Sequence, residues 1–89
     1  MNTPIKLYEI KFFNKKNKET IIRYEVYETT IRKAWKWCYN YRPQITVGYI
    51  AKAIYPADNK NKERMLLVNE SNSCSVWVTE LKVVSGNGR

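Results

Sequence analysis

Histidine is absent from the chain. The base that most often activates a nucleophile is therefore missing, and so is the imidazole of ordinary zinc sites. Cysteine is scarce: Cys38 and Cys74 stand alone, with no CxxC pair. That excludes a metal finger or a disulfide framework. Both sulfurs fall in apolar patterns and read as small buried hydrophobes. The three glycines, Gly48, Gly86 and Gly88, make no phosphate-cradling loop. The eight carboxylates are scattered, mostly beside Lys or Arg, and no two are placed as an acid–base pair. The expectation is a non-enzymatic protein with no metal and no cofactor. Apolar runs are short as well. None approaches the ~20 residues of a membrane-spanning helix, and residues 1–4 lead into a strand pattern rather than a signal peptide. A cytoplasmic protein is expected.

What is present is positive charge and aromatic surface. Sixteen Lys/Arg face eight Asp/Glu, a formal net charge of +8. The excess is uneven, at +6 over residues 1–42 and +2 over residues 43–89. Such a balance favours anionic partners: nucleic acid or an acidic protein surface. A hydrophobic fraction of 44% argues for a packed globule rather than disorder, and 89 residues make one domain's worth of chain.

The charge concentrates in residues 29–42, TTIRKAWKWCYNYR. This stretch holds four cations, four aromatics and no acid. On a helical wheel Ile31, Ala34, Trp35 and Cys38 recur at i, i+3, i+4 and i+7, an inward stripe. Arg32, Lys33, Lys36 and Asn40 fall on the opposite face, with Trp37 at its edge. Thr29 or Thr30 is the N-cap, and Pro43 ends the helix by disfavouring helical geometry at Arg42.

Two strands precede this helix. Residues 5–13 and 20–29 alternate with period two, with Tyr8, Ile10 and Phe12 on one face and Ile22, Tyr24 and Val26 on the other strand's matching face. The solvent side would then carry the diagonal pairs Glu9–Arg23 and Lys11–Glu25. Between the strands, residues 14–19 (NKKNKE) form a hairpin loop whose Lys15, Lys16 and Lys18 make a second cationic site. A lysine-rich tip is also what a plain solvated turn looks like.

Residues 44–55 (QITVGYIAKAIY) read two ways. A helix would turn Val47, Ile50, Ala51 and Ile54 inward and mimic a helix-turn-helix. A strand suits the Ile, Thr, Val and Tyr content, and Gly48 costs a helix about 1 kcal/mol. The strand is the stronger reading. Residues 63–69 and 74–84 follow as further strands, joined by Glu70-Ser71-Asn72-Ser73, with residues 57–62 a loop and 85–89 a loose tail. The fold class is α+β in the order ββαβββ, a single domain with a ββα part (1–42) and a β part (43–84).

Three runs of the second half carry a resemblance. They are Ile45-Thr46-Val47-Gly48-Tyr49, the strand ending at Asn69, and Val76-Trp77-Val78-Thr79-Glu80-Leu81 followed by Val83-Val84. Over residues 44–84 this order resembles the Src-homology-3-like small barrels of short phage and bacterial proteins. Asn69-Glu70-Ser71-Asn72 stands where Asn-Asp-x-Gly is usual there, and Tyr49 replaces a basic residue. The resemblance implies a small barrel formed or completed by the last three strands. Such barrels serve both protein and nucleic-acid recognition, so it selects no partner.

Binding is the function class that remains. Arg32, Lys33 and Lys36 are expected to meet phosphates or carboxylates, with Trp37 and Tyr41 stacking beside them and Lys15, Lys16 and Lys18 as a secondary site. The first reading is nucleic-acid binding. The alternative is a protein-interaction module, such as a phage or mobile-element inhibitor that engages an acidic, nucleic-acid-like site on a host protein.

Overall fold

The alternating apolar residues of the first hairpin form two long antiparallel strands, β1 (Ile5–Asn14) and β2 (Thr20–Glu28). A helix α1 (Ile31–Tyr41) and a single helical turn α2 (Pro43–Thr46) follow. Three strands complete the chain: β3 (Ile50–Tyr55), β4 (Arg64–Val68) and β5 (Cys74–Ser85). This computed structural model describes residues 3–85. All five strands join one antiparallel sheet in the order β2-β1-β5-β4-β3. The first and last strands thus meet inside the sheet, where β5 lies against β1 with Ile10 opposite Val78 and Phe12 opposite Val76.

Helix α1 begins at Thr30, whose hydroxyl accepts a hydrogen bond from the Lys33 amide at 3.1 Å. It stops at Arg42, whose amide still reaches the Cys38 carbonyl at 2.8 Å while Pro43 starts α2. The predicted stripe packs inward: Ile31, Ala34 and Cys38 are buried, and Trp35 lies partly buried against Phe12 and Tyr49. They close onto Tyr8, Ile10, Phe12, Val26, Met65, Leu67, Val76 and Val78, which share one face of the sheet. Each fully buried large side chain here contributes about 1.5–3 kcal/mol of transfer free energy.

The α+β class and the strand–helix order follow the sequence reading, and two of its features do not. The sheet is not closed. The free side of β5 is taken by β1, and β2 and β3 are left as edges among the described residues. Residues 44–84 therefore supply a three-stranded meander to an open sheet instead of forming or completing a small barrel. The apolar face that a barrel would seal by curling is sealed here by α1. The second correction concerns residues 44–55. The strand begins only at Ile50, because Pro43 opens a helical turn in which the buried Thr46 hydroxyl donates to the Arg42 and Pro43 carbonyls. Gly48 lies in the turn between them. In the segment expected as a tail, Ser85 ends β5, and the rest falls outside the described residues.

Candidate functional site

A single helix covers only one face of a sheet, so the molecule has two distinct outer surfaces: the back of α1 and the open face of the strands. The predicted site residues divide between them.

On α1, Arg32, Lys33 and Lys36 are exposed, and none has an ion-pair partner among the described residues. With Thr30 as N-cap, Arg32 and Lys33 sit in the first turn, which contains no acidic residue, and the last turn contains no basic one. This is the reverse of what the helix dipole favours. Amide hydrogens at the N-terminus prefer anions, and each misplaced cation costs about 0.3–1 kcal/mol. Lys33, Lys36, Trp37 and Asn40 line a shallow hollow of about 330 Å³ together with one carboxylate, Glu28.

The aromatics of this face are not free rings. Trp37 is half-buried, edge-on to Tyr24 at 5.8 Å, and stacked on Tyr41 at 5.0 Å with the planes 18° apart. Tyr41 is exposed, and it also meets Tyr24 edge-on. The Tyr24 hydroxyl accepts a hydrogen bond from Arg42. Trp37 therefore anchors α1 to β2 on one side and supports Tyr41 on the other. Tyr41 is the ring of this cluster that faces solvent most openly.

The lysines of the β1–β2 turn belong to the other surface. The turn is shaped by the Asn14 side chain, which accepts from the Lys16 and Asn17 amides, and by Lys18 at φ 65°. The Lys15 amide binds the Ser73 carbonyl, which ties this turn to the β4–β5 turn. Lys15 and Lys18 then rim a hollow of about 440 Å³ on the open face of the sheet, joined by Lys52 from β3. Phe13, Leu66, Val68 and Trp77 line it, and Glu70 is its one carboxylate. Lys16 is exposed and does not line this hollow.

The sequence reading did not find Phe13, Lys52, Arg64 and Trp77. Arg64 lies with its Cζ 4.9 Å from the Tyr55 ring centre and 5.4 Å from that of Trp77. Their signal was present in the strand alternation. Phe13 breaks the Tyr8-Ile10-Phe12 period, and Trp77 sits between the inward Val76 and Val78. An open face also carries the predicted Glu9–Arg23 ion pair. Arg23 reaches Glu25 too, so the expected Lys11–Glu25 pair does not form and Lys11 stands opposite Arg23 and Trp77.

Of the two cysteines expected to be buried, only Cys38 is; Cys74, at the start of β5, is half-buried. Burial pushes the Cys38 thiol up to about 11, with Arg42 opposing the shift. No helix among the described residues is long and apolar enough to cross a membrane. No protein-family model, curated protein or solved structure matches the chain.

Proposed function

We propose that the protein is a small, basic, non-enzymatic nucleic-acid-binding protein that presents the outer face of α1 to a phosphate backbone. One observation carries the reading. Arg32 and Lys33 occupy the first helical turn, exposed and without an ion-pair partner among the described residues, where local electrostatics disfavours them. A surface that sacrifices helix stability in this way is explained by an anion supplied from outside. Phosphates at a helix N-terminus meet both the side-chain cations and the free amide hydrogens. Lys36, one turn further along, extends the positive track.

The test is anisotropy with labelled single- and double-stranded oligonucleotides at a series of salt concentrations. Affinity is expected to fall steeply between ~50 and ~200 mM salt, as counterion release requires. Arg32→Glu combined with Lys36→Glu is expected to weaken binding and to flatten the salt slope by about 2, one for each lost phosphate contact. No binding of any oligonucleotide at ~50 mM salt rejects the proposal.

A second reading rests on the stacked Trp37–Tyr41 pair beside Lys36. Aromatic residues next to cations are frequent centres of protein interfaces, and the partner would present an acidic surface. Capture of such a partner would survive ~200 mM salt, losing mainly association rate.

A further inference from the structure

The open face of the sheet is not an inert back. Its register places Phe13 beside Ser75 and Val68 in one row, Lys11 beside Trp77 and Leu66 in the next, and Thr79 beside Arg64 and Tyr55 in a third. The apolar floor of the hollow is rimmed by Lys15 and Lys18 from the β1–β2 turn and by Lys52 from β3. Nearby carboxylates do not neutralise them. Glu9 and Glu25 are both held by Arg23, which leaves Glu70. Arg64 adds a further cation beside the hollow, with Asp58 lining a neighbouring hollow next to it. The Arg64 guanidinium packs over Tyr55 and Trp77, has no ion-pair partner among the described residues, and its buried Nε has no hydrogen-bond partner.

We propose that this face is a second nucleic-acid surface, one that takes a single strand with a base against Trp77 and with phosphates along Lys15, Lys18 and Lys52. The ligand class rests on the nucleic-acid reading above, but the surface is a different one, on the opposite side of the sheet from α1. Cations around an aromatic floor suit an unpaired strand, because every base has a face that can stack and each nucleotide carries one phosphate. A duplex hides those faces inside its own stack. A second copy of the chain fits poorly. Packing two such faces together would set Lys11, Lys15, Lys18, Lys52 and Arg64 of one copy against the same cations of the other, with little carboxylate between them. The backbone points the same way. Lys18 holds a left-handed conformation that glycine or asparagine adopts at lower cost, yet the residue there is a lysine at the rim of the hollow.

The experiment compares four labelled probes at ~50 mM salt: an oligothymidylate of roughly 12 nucleotides, an abasic strand with the same number of phosphates, a duplex of the same length, and polyglutamate. The native chain is expected to bind oligothymidylate at least about fivefold more tightly than the abasic strand, the contribution of one stacked base. Trp77→Leu is expected to remove that preference while leaving duplex binding unchanged. Lys15→Glu combined with Lys52→Glu, two exposed positions that leave the core intact, is expected to weaken oligothymidylate and abasic strand alike. It serves as the deciding variant if Trp77→Leu loses its folded circular-dichroism spectrum. Arg32→Glu with Lys36→Glu reports on the helix face separately. Duplex binding that survives while neither sheet-face variant changes single-strand affinity overturns this inference alone. Equal affinity for oligothymidylate and the abasic strand, or for polyglutamate, also overturns it. Failure of every oligonucleotide to bind overturns both this inference and the reading it rests on.

Discussion

The side-chain amide of Asn69 fills the space that a Cβ on residue 48 would need: a Cβ at Gly48 would lie 2.8 Å from Asn69 Nδ2. Gly48 holds φ at 90°, a region that side chains rarely adopt. The Asn69 Nδ2 donates to the Val47 carbonyl at 3.3 Å, and its Oδ1 accepts from the Ser71 amide at 3.0 Å and from the Ser71 hydroxyl at 2.6 Å. One buried amide thus clasps the turn before β3 to the turn between β4 and β5. Gly48→Ala is expected to lower unfolding free energy by about 1–3 kcal/mol, through the strained φ and the displaced amide together. Urea denaturation with an unchanged slope checks this. A loss under ~0.5 kcal/mol would mean that the Asn69 clasp gives way at little cost.

Lys18 is the same problem with the opposite residue. Its positive φ is a cost that glycine would not bear. Lys18→Gly is therefore expected to stabilise the protein by about 0.5–1 kcal/mol, the left-handed penalty less the extra chain entropy of glycine. In a domain this small that raises Tm by several degrees. Single-strand affinity is expected to fall in the same variant, because a rim cation is gone. Higher Tm with unchanged affinity would separate the turn from the binding surface.

Lys33 occupies the third position of α1, three residues after the Thr30 cap. Lys33→Glu would complete a capping box with Thr30 and place an anion where the helix dipole favours one. An increase in stability of about 0.5–1 kcal/mol is expected, together with weaker binding to every oligonucleotide. Thermal melts and anisotropy on the same preparation measure both. A fall in stability would show that Lys33 is held by Glu28 across their shared hollow and not reserved for a partner.

Tyr8 is fully buried, and its hydroxyl has no hydrogen-bond partner among the described residues. Burial, reinforced by the charges of Glu63, Glu80 and Glu28, pushes its ionisation from 10.0 up to about 12. The folded state then holds its proton more tightly than the unfolded chain. The resulting stability is fully present below pH 10 and is lost as pH rises toward 12. Tyr8→Phe is expected to be neutral or stabilising by about 1 kcal/mol at neutral pH, since no hydrogen bond is lost. It is also expected to flatten the alkaline decline. An unchanged decline between pH 10 and 12 would assign it elsewhere.

The helix was legible because its evidence is local. Ile31, Ala34 and Cys38 recur at the helical period, Thr30 caps and Pro43 stops, and each acts within a few residues of chain. The first hairpin was legible for the same reason, down to the Glu9–Arg23 pair. Residues 44–46 were not, because Pro43 both ends one helix and starts another turn, and strand-forming side chains there gave the opposite signal. Trp37 was read correctly as marginal, but its stack on Tyr41 depends on Tyr24, which comes from another element.

Residue order by itself determined the strand–helix sequence, the inward faces of β1, β2 and α1, and a cationic outer face on α1. Period and capping are short-range properties, and they survive without knowledge of partners. Only the tertiary structure decided that β1 takes β5 as its second neighbour, which leaves the sheet open where a barrel was expected. That pairing joins residues some seventy apart in the chain, and alternation identifies a strand without naming its neighbour. The same pairing placed Lys15 and Lys18 beside Lys52 and Trp77 and on the opposite side of the sheet from Arg32, Lys33 and Lys36. The two cationic stretches of the sequence became two separate surfaces.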